Sequence, residues 1–470
     1  MHTPNIMRIM RRAASVMIAA VMLVAPCVSA VADETGVPLD AAHFPDEEFR
    51  TLLKEYDFDG DDVFSQEELY QIATIVSFED NIKSVQGIEY FPVLRDLNIR
   101  RNQISSIDVS HNPKLEYLII GGNQLTSLDV SHNPALKMLN ASRNQLTSID
   151  LSQNTALKEL HLSNNQLASL DLTHNTKLKE IYARNNALTE LDLALLPALE
   201  YVYLSNNQLT SVGLGSNSAL IGIELDGNRL TSVDVSGLTA MDYLNLNNNL
   251  LTSLDVSKNA ALTWLDTEGN QLTSVEVSHN EKLLELFAKK NRLLWLSDFA
   301  NPEQEHDIDL AEQLYGPVAG TTLNLTKTAP GIDVTRISNV QGGTLDGDAL
   351  TVTNPDGLVT YDYQFNGKAD PLHAQMQFDM QPLPDDSDDP DDPDQSDTPD
   401  DPDQADKPGG DTQPSDPASA GKPSEPSKPA NGSNVSGIRW QMARTDSSIL
   451  MIAAIAVALL TAGTAVFAGL

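Results

Sequence analysis

The chain of 470 residues contains a single cysteine, few aromatic residues and few basic residues. Cys27 has no second cysteine to pair with, and it lies in an N-terminal segment, described next, that signal cleavage would remove, so an intramolecular disulfide and a cysteine–zinc site are excluded. Aromatic residues make up only 5% of the chain, so a surface on which they collect is informative. The 30 lysines and arginines are outnumbered by 66 aspartates and glutamates. The formal net charge of -36 excludes a nucleic-acid binder, because a phosphate backbone requires lysine and arginine.

An uncharged apolar run lies near the start of the chain. Arginines at positions 8–12 precede AASVMIAAVMLVA, and small residues follow as far as Ala32. This order predicts a secretory signal peptide over residues 1–32. Acylation of Cys27, as in a lipoprotein, is the alternative.

A second apolar run of 22 residues, 449–470, is long enough to span a bilayer. It follows a stretch of Asp, Pro, Ser and Gly over 381–436, which cannot bury a core and is expected to be a disordered stalk. Between them, QMARTDSS resembles a sortase sorting signal, although Asp446 stands where glycine is usual. We therefore expect residues 437–470 to be a degenerate sorting signal with a transmembrane anchor; attachment to the membrane or to the cell wall stays open.

A 21-residue repeat occupies the middle of the chain. An asparagine followed two positions later by an apolar residue recurs in phase ten times, at Asn102, Asn123, Asn144, Asn165, Asn186, Asn207, Asn228, Asn249, Asn270 and Asn291. The alternating leucines of each unit predict a short strand, and an inward asparagine amide can bond backbone groups that the following turn buries. No single unit can bury its leucines alone, so the units stack around one core.

The units of the form NQLTSLDVS resemble the leucine-rich repeats of internalin-like bacterial surface proteins over about residues 76–296. The resemblance implies an α/β-type repeat solenoid whose parallel sheet lines a concave, partner-binding face. Ten strands at a spacing of about 4.8 Å give a sheet about 50 Å long. We expect a helical cap over residues 33–75. Alternating residues and the turn pairs DG, NP and GG predict a small β domain over 297–380, capping the other end.

The residues on either side of each strand's core position vary between units, and alternation places them on the exposed sheet face. The aromatic members are Tyr117, Tyr182, Tyr201, Tyr203, Tyr243, Trp264 and Phe287. The acidic residues among them include Glu159, Glu180, Glu224 and Asp266. Tyrosine is common in strands whether or not a ligand binds there, which is the alternative explanation. Exposed aromatic residues among carboxylates, however, are typical of a binding surface. We expect these residues to bind a cationic protein patch or a polyhydroxylated glycan.

The N-terminal cap contains DFDGDDVFSQEE between two predicted short helices, FRTLLKEY and EELYQIATI. This segment resembles an EF-hand calcium loop. The resemblance implies the ligands Asp57, Asp59, Asp61, Val63 through its carbonyl, Ser65 and Glu68. Asp62 stands where glycine is usual, so we expect a weak, structural calcium site. The alternative is a helix–turn–helix in which Ser65 and Glu68 form only a capping box.

These patterns predict an exported, monomeric cell-surface protein of a Gram-positive-type bacterium. We expect an adhesin-like binding protein, not an enzyme, that recognises a protein ligand through its concave face. A glycan-binding surface module is the first alternative. A surface hydrolase using a carboxylate pair such as Glu159 and Glu180, and a purely structural spacer, are further alternatives.

Overall fold

The computed structural model describes residues 36–366 and 370–380. The predicted signal peptide, stalk and C-terminal sorting signal with its anchor lie outside these described residues. Within them, no helix combines the length and the apolar character needed to cross a membrane.

The N-terminal cap closes one end of the core with short elements. They are β1 (Val37–Pro38), α1 (Glu47–Leu53), β2 (Val63–Phe64), α2 (Gln66–Leu69) and a 3-10 turn (Ile88–Tyr90). Strands β1 and β2 pair antiparallel. Between the helices and the first repeat, Phe44, Phe49, Phe64 and Phe91 are fully buried and their rings contact one another. This aromatic cluster covers apolar surface that a neighbouring repeat would otherwise cover.

The second helix of the cap is shorter than the pattern EELYQIATI predicts. Helix α2 ends at Leu69, and Thr74–Val76 forms strand β3. Three consecutive β-branched residues favour a strand, and Ile75 is fully buried. The predicted helix is therefore wrong over Thr74 and Ile75, because pairing with the next strand outweighs the local helical pattern.

Twelve short parallel strands form the main sheet, where the count of asparagines predicts ten. Neighbouring strands pair in phase, so that Tyr201 lies opposite Glu180 on one side and Gly222 on the other. In order they are β3, β4 (Asp96–Asn98), β5 (Tyr117–Ile119), β6 (Met138–Asn140), β7 (Glu159–His161), β8 (Glu180–Tyr182), β10 (Tyr201–Tyr203), β12 (Gly222–Glu224), β13 (Tyr243–Asn245), β14 (Trp264–Asp266), β16 (Glu285–Phe287) and β18 (Asp307–Asp309). The additional strands are β3 and β18, one at each edge.

The middle residue of each strand points into one continuous core. From Leu97 on β4 to Leu286 on β16, all of these residues are fully buried. The first and third residues of each strand point away from that core, as the period of two requires. The predicted solenoid and its core positions are confirmed.

The repeated asparagines tie each turn to its predecessor. Asn165 shows the pattern: its Oδ1 accepts from the Leu146 amide at 3.0 Å, and its Nδ2 donates to the carbonyls of Ala141 and Leu162. In the last turn Gln313 makes the equivalent bonds: its Oε1 accepts from the Leu293 amide, and its Nε2 donates to three backbone carbonyls. The predicted role of the inward amide is confirmed, and it extends to this glutamine.

The convex side is mostly turns. Two pairs of parallel strands occur there, β9 (Glu190–Asp192) with β11 (Ser211–Gly213), and β15 (Ser274–Val275) with β17 (Trp295–Leu296). A second row of buried asparagines runs beneath these turns, and each donates to backbone carbonyls of the preceding turns; Asn133, for example, donates to Val109 and Asn112.

A small β domain follows the main sheet, as predicted. Its elements are β19 (Tyr315–Ala319), β20 (Thr322–Asn324), α3 (Leu325–Thr328), a 3-10 turn (Val334–Arg336), β21 (Ile337–Gln341), β22 (Gly343–Asp346), β23 (Ala349–Val352), β24 (Leu358–Tyr363) and β25 (Leu372–Asp379). They form sheets in the orders β19-β25-β24-β21 and β20-β23-β22. The buried Tyr361 hydroxyl donates to the Leu294 carbonyl at 2.8 Å, and Arg336 pairs with Asp298. These bonds fix the domain to the last repeats.

Candidate functional site

The concave face is the side of the main sheet that carries the first and third residues of every strand. We call these residues the first row and the third row, and the residues two positions after the third row the fifth row. Because neighbouring strands pair in phase, side chains in one row stand side by side at the strand spacing of about 4.8 Å.

Three rings of the third row form a continuous stack. The rings of His161 and Tyr182 lie 4.3 Å apart and nearly parallel, and Tyr182 and Tyr203 lie 4.6 Å apart. Tyr201, in the first row, is parallel to Tyr203 at 6.4 Å. The Arg184 guanidinium sits 4.6 Å from the centre of the Tyr203 ring. We call His161, Tyr182, Tyr203 and Tyr201 the tyrosine stack.

A second group of rings lies further along the sheet. Tyr243 and Trp264 stack at 4.3 Å, and Phe287 contacts Trp264 at 5.8 Å. We call these three residues the tryptophan stack. Strand β12 separates it from the tyrosine stack, and Gly222 leaves room there for the Tyr201 ring, which would lie 3.1 Å from an added Cβ.

The predicted carboxylates stand beside these rings in partly desolvated positions. Burial raises the pKa of Glu159, with a further contribution from the charge of Glu180. Burial also raises the pKa of Glu224, against the opposing effect of Arg184, with which it forms an ion pair. Burial raises the pKa of Asp266 to about 6, although the Glu268 amide and the Asn247 side chain donate hydrogen bonds to it.

The tyrosine hydroxyls share this environment. The Tyr182 hydroxyl donates to Glu180 at 2.8 Å. Burial, followed by the charge of Glu224, raises the pKa of Tyr203 to about 12, so its hydroxyl stays protonated and can donate at neutral pH. The stacks therefore present flat apolar surfaces edged with polar groups, which is the chemistry of a recognition surface.

Asp96 and Asn98, on β4, form a polar site that the sequence pattern did not single out. One carboxylate oxygen of Asp96 and the amide oxygen of Asn98 are buried without a hydrogen-bond partner among the described residues. Burial raises the pKa of Asp96 to about 6. The sequence signal was an acid and an amide two positions apart on the exposed side of a strand.

The acidic loop of the N-terminal cap is arranged around three carboxylates. Oxygen atoms of Asp57, Asp59 and Asp61 all lie within 4.8 Å of one another. The Asp57 carboxylate accepts from the amides of Gly60 and Asp62 at 2.9 Å. Asp62 adopts the left-handed conformation, with a φ of 60°, in the place where an EF-hand has glycine.

The remaining predicted ligands lie at the end of this loop. Val63 belongs to β2, and Ser65 is the N-cap of α2. Glu68 is 6% exposed, and its carboxylate accepts from the Ser65 amide and hydroxyl and from the Phe58 amide, each at 2.8 Å. The capping box is thus present together with the carboxylate cluster, so the two sequence interpretations are compatible.

Electrostatic repulsion within the loop favours a bound cation. The Asp61 amide lowers the pKa of Asp59, but burial and the charges of Asp61, Glu68 and Asp57 outweigh that effect, and the net pKa is raised. Several carboxylate oxygens in one small space are the donors that calcium prefers. The residues present therefore fit a calcium ion.

A family model described as Leucine Rich repeats (2 copies) matches residues 134–174 and 176–216. The repeat region is a leucine-rich-repeat solenoid. No curated protein sequence matches the chain.

The matching solved structures include two proteins of Listeria monocytogenes and one of Yersinia pestis. The functional domain of InlJ from Listeria monocytogenes is 21% identical, with a TM-score of 0.42, covering 74% of this chain and 100% of that one. The internalin InlF of Listeria monocytogenes is 23% identical, with a TM-score of 0.39, covering 59% and 98%. The effector YopM of Yersinia pestis is 24% identical, with a TM-score of 0.44, covering 56% and 79%.

The leucine-rich-repeat sheet brings most of the predicted ligand residues together. Six of the seven predicted aromatic residues join the two stacks, and Tyr117 stands apart on β5 without a ring contact among the described residues. His161 enters the tyrosine stack although the sequence pattern marked it only as a variable position. Its role follows from the in-phase pairing with β8, which places it directly beside Tyr182.

Proposed function

We propose that this protein is an adhesin-like cell-surface binding protein that recognises a protein ligand through the concave face of its leucine-rich repeats. The observation that carries the proposal is the alignment of seven rings in two stacks on one open sheet face. Rings held by stacking lose little conformational freedom on binding, and tyrosine and tryptophan dominate the energetics of many interfaces.

The carboxylates between the rings favour a protein over a neutral glycan. Glu159, Glu224 and Asp266 all have raised pKa values because burial disfavours their ionised forms. A lysine or arginine from a partner would stabilise the charges of Glu159 and Asp266, as Arg184 already does for Glu224, and a neutral sugar has no such group. Glycan binding, which also uses aromatic stacking, is the alternative outcome of the binding experiment.

We propose binding without turnover. Glu159 and Glu180 lie opposite each other on paired strands and project from the same sheet face. A glycosidase holds its two carboxylates on either side of the scissile bond, whereas Glu159 and Glu180 stand next to each other on the same side of the sheet. The hydrogen bond from Tyr182 to Glu180 supports a role for this pair in an ordered binding surface.

Surface display is part of the proposal and rests on the sequence. The signal-like segment over 1–32 supports export, and the acidic, proline-rich stretch over 381–436 supports a stalk. The apolar run over 449–470 supports anchoring, to the membrane directly or to the cell wall through the sorting signal.

The test is binding of the full chain, kept in mild detergent, to panels of extracellular-matrix proteins, epithelial surface proteins and glycans. We expect a protein hit that the double variant Tyr203→Ala/Trp264→Ala loses by about a hundredfold, because each stack loses its central ring. The matched control is Tyr70→Ala, which removes a tyrosine that is 61% exposed and lies in the cap, away from the concave face.

The outcomes separate the alternatives. Retained binding by the double variant, with an unchanged unfolding transition, would contradict the concave-face proposal. A hit on glycans alone would replace the protein ligand by a sugar, and release of cleaved products from the hit would replace the binder by an enzyme.

We also propose that the acidic loop of the cap binds calcium, held by Asp57, Asp59, Asp61, the Val63 carbonyl, Ser65 and Glu68. The close approach of three carboxylates and the left-handed Asp62 support this proposal. A bound ion would offset the repulsion among the aspartates and so stabilise the cap.

A further inference from the structure

We infer that the ligand of the concave face is a cationic polypeptide segment, and that Asp96 and Asn98 receive one of its lysine or arginine side chains. This inference rests on the proposed function and names the chemical class of its ligand.

Asp96 and Asn98 together form a site of hydrogen-bond acceptors on the concave face. Asp96 and Asn98 are the first and third residues of β4, so both side chains project from the concave face. The Oδ1 atoms of both residues are buried without a hydrogen-bond partner among the described residues, and Asn98 is only 6% exposed. Folded proteins pair nearly all such atoms. Amide oxygens of the second row of asparagines also lack a partner among the described residues, but they lie beneath the convex turns, whereas Asp96 and Asn98 are on the concave face, where a ligand can supply the donor.

The neighbouring strands remove water from this site without supplying a positive charge. The residues beside it on β3 and β5 are Thr74, Val76, Tyr117 and Ile119. Among the described residues, no lysine, arginine or histidine forms an ion pair with Asp96. The pKa of Asp96 is accordingly raised by burial alone, with no opposing contribution from a cation.

An ammonium or guanidinium group matches this pair of oxygens. Either group donates several hydrogen bonds and carries a positive charge that pairs with the carboxylate of Asp96, whereas a water molecule would supply hydrogen-bond donors only. A calcium ion prefers six or more oxygen ligands, and the site offers the oxygens of two side chains.

The rest of the concave face is complementary to a basic partner. The first, third and fifth rows of the main sheet carry ten carboxylates but only three lysines or arginines, which gives this face a formal charge of -7. The three cations are Arg100, Arg184 and Lys289. Arg184 and Lys289 pair with acids of the face, and the Arg100 guanidinium lies 4.8 Å from the centre of the Phe78 ring, so all three cations are engaged and the face keeps its excess of negative charge.

One short segment can reach both Asp96 and the tyrosine stack. Strands β4 and β8 are four strand spacings apart, or about 19 Å. An extended polypeptide rises about 3.3 Å per residue, so about six residues cover that distance. We therefore expect a basic residue about six positions from the residues that pack on Tyr182.

The test uses a displayed library of random dodecapeptides as the probe and the full chain, in mild detergent, as the target. Selection is done near neutral pH and physiological salt, and an enriched peptide is synthesised. We expect enrichment of lysine or arginine together with apolar residues. Asp96→Asn, which keeps the shape of the side chain, should weaken the enriched peptide about tenfold.

The matched control is Asp108→Asn. It removes the same charge from the convex side, where the Asp108 carboxylate accepts from the Ser110 amide, and it should change the affinity less than twofold, within the range of ordinary surface substitutions. A second peptide, with the critical lysine replaced by norleucine, completes a double-mutant cycle. If that lysine contacts Asp96, Asp96→Asn should have no effect on the norleucine peptide.

The results distinguish this inference from the proposed function. Peptides that lose binding with Tyr203→Ala/Trp264→Ala but not with Asp96→Asn would overturn this inference and leave the proposed function standing. Equal binding by all variants would overturn both. Three other results would overturn the inference that the ligand is a cationic polypeptide. They are enrichment of peptides without basic residues, no enrichment at all, and binding of the chain to a glycan array alone.

Discussion

A single residue of the concave face can favour ligand binding and at the same time lower the stability of the fold. Asp96 is the clearest example. Its pKa is about 6 in the folded chain and 3.8 ordinarily. The folded chain therefore holds this proton more tightly than the unfolded chain does. Ionised Asp96 lowers the free energy of unfolding above about pH 6, and the cost disappears below about pH 4.

We predict that Asp96→Asn makes the fold more stable while it weakens binding. A shift of about two pKa units corresponds to about 3 kcal/mol, which partial exposure reduces to about 1–2 kcal/mol. Urea unfolding at about pH 7.5 should show that gain, and at about pH 4 the variant and the natural chain should unfold alike. A variant that is less stable than the natural chain at neutral pH would show that Asp96 has a structural role instead.

The sequence marks Asp96 as a variable position on the sheet face but does not reveal its burial. That burial depends on β3 (Thr74–Val76), whose first two residues, Thr74 and Ile75, the sequence pattern assigns to a helix. Tyr182 and Trp264, by contrast, could be recognised because they are aromatic and in phase. Whether a carboxylate has a counter-ion depends on residues from other turns of the solenoid. Those neighbours cannot be identified from the sequence around the carboxylate alone.

At the scale of elements, the asparagines are both the signal that predicts the strands and the reason that the strands stack. The strands from β4 to β16 follow from the 21-residue phase. Strand β18 could not be predicted in this way, because Gln313 replaces the asparagine of its turn at a spacing of 22 residues from Asn291. The longer side chain makes the same bonds, but a search for asparagine misses it.

We predict that Asn165→Ala lowers the free energy of unfolding by about 2–4 kcal/mol. The change removes three hydrogen bonds and leaves the Leu146 amide buried without an acceptor. Denaturant unfolding measures the loss. The control is Gln166→Ala, an exposed neighbour whose loss should change stability by less than about 0.5 kcal/mol. Equal effects of the two variants would argue against the asparagine row as a stabilising element.

The cap makes a separate prediction about calcium. Saturating calcium should raise the melting temperature by about 2–6 °C relative to chelator, because the ion binds the folded loop only. Asp57→Asn should abolish this rise, whereas Glu55→Gln, which removes an exposed charge just before the loop, should preserve it. The same melting temperature with calcium and with chelator would remove the proposed site.

For the molecule as a whole, stability depends on covering both ends of an open-ended core. The cluster of phenylalanines covers one end, and the β domain covers the other through Tyr361 and the Asp298–Arg336 pair. A β domain could be predicted from its alternating residues and turn pairs. Its attachment could not, because Tyr361 and Leu294 are 67 residues apart and no local pattern joins them.

We predict that Tyr361→Phe lowers the free energy of unfolding by about 1–3 kcal/mol, since it leaves the Leu294 carbonyl buried without its donor. Tyr363→Phe is the matched comparison. Its hydroxyl accepts a longer bond, at 3.4 Å, from the Asp333 amide, so its loss should matter less. The order of the two effects in denaturant unfolding is the measurement, and the reverse order would show that the Tyr361 bond does not hold the domain in place.

The identical hydrogen bonding of successive turns makes the distance between contact points on the concave face adjustable in whole steps. Gaining or losing one 21-residue unit between Asp96 and Tyr182 would preserve every bond of the asparagine row. It would move the two contacts apart or together by one strand spacing, about 4.8 Å. Duplication or loss of a unit during evolution would thus change the length of ligand that fits between the two contacts, while the chemistry at each contact stays the same.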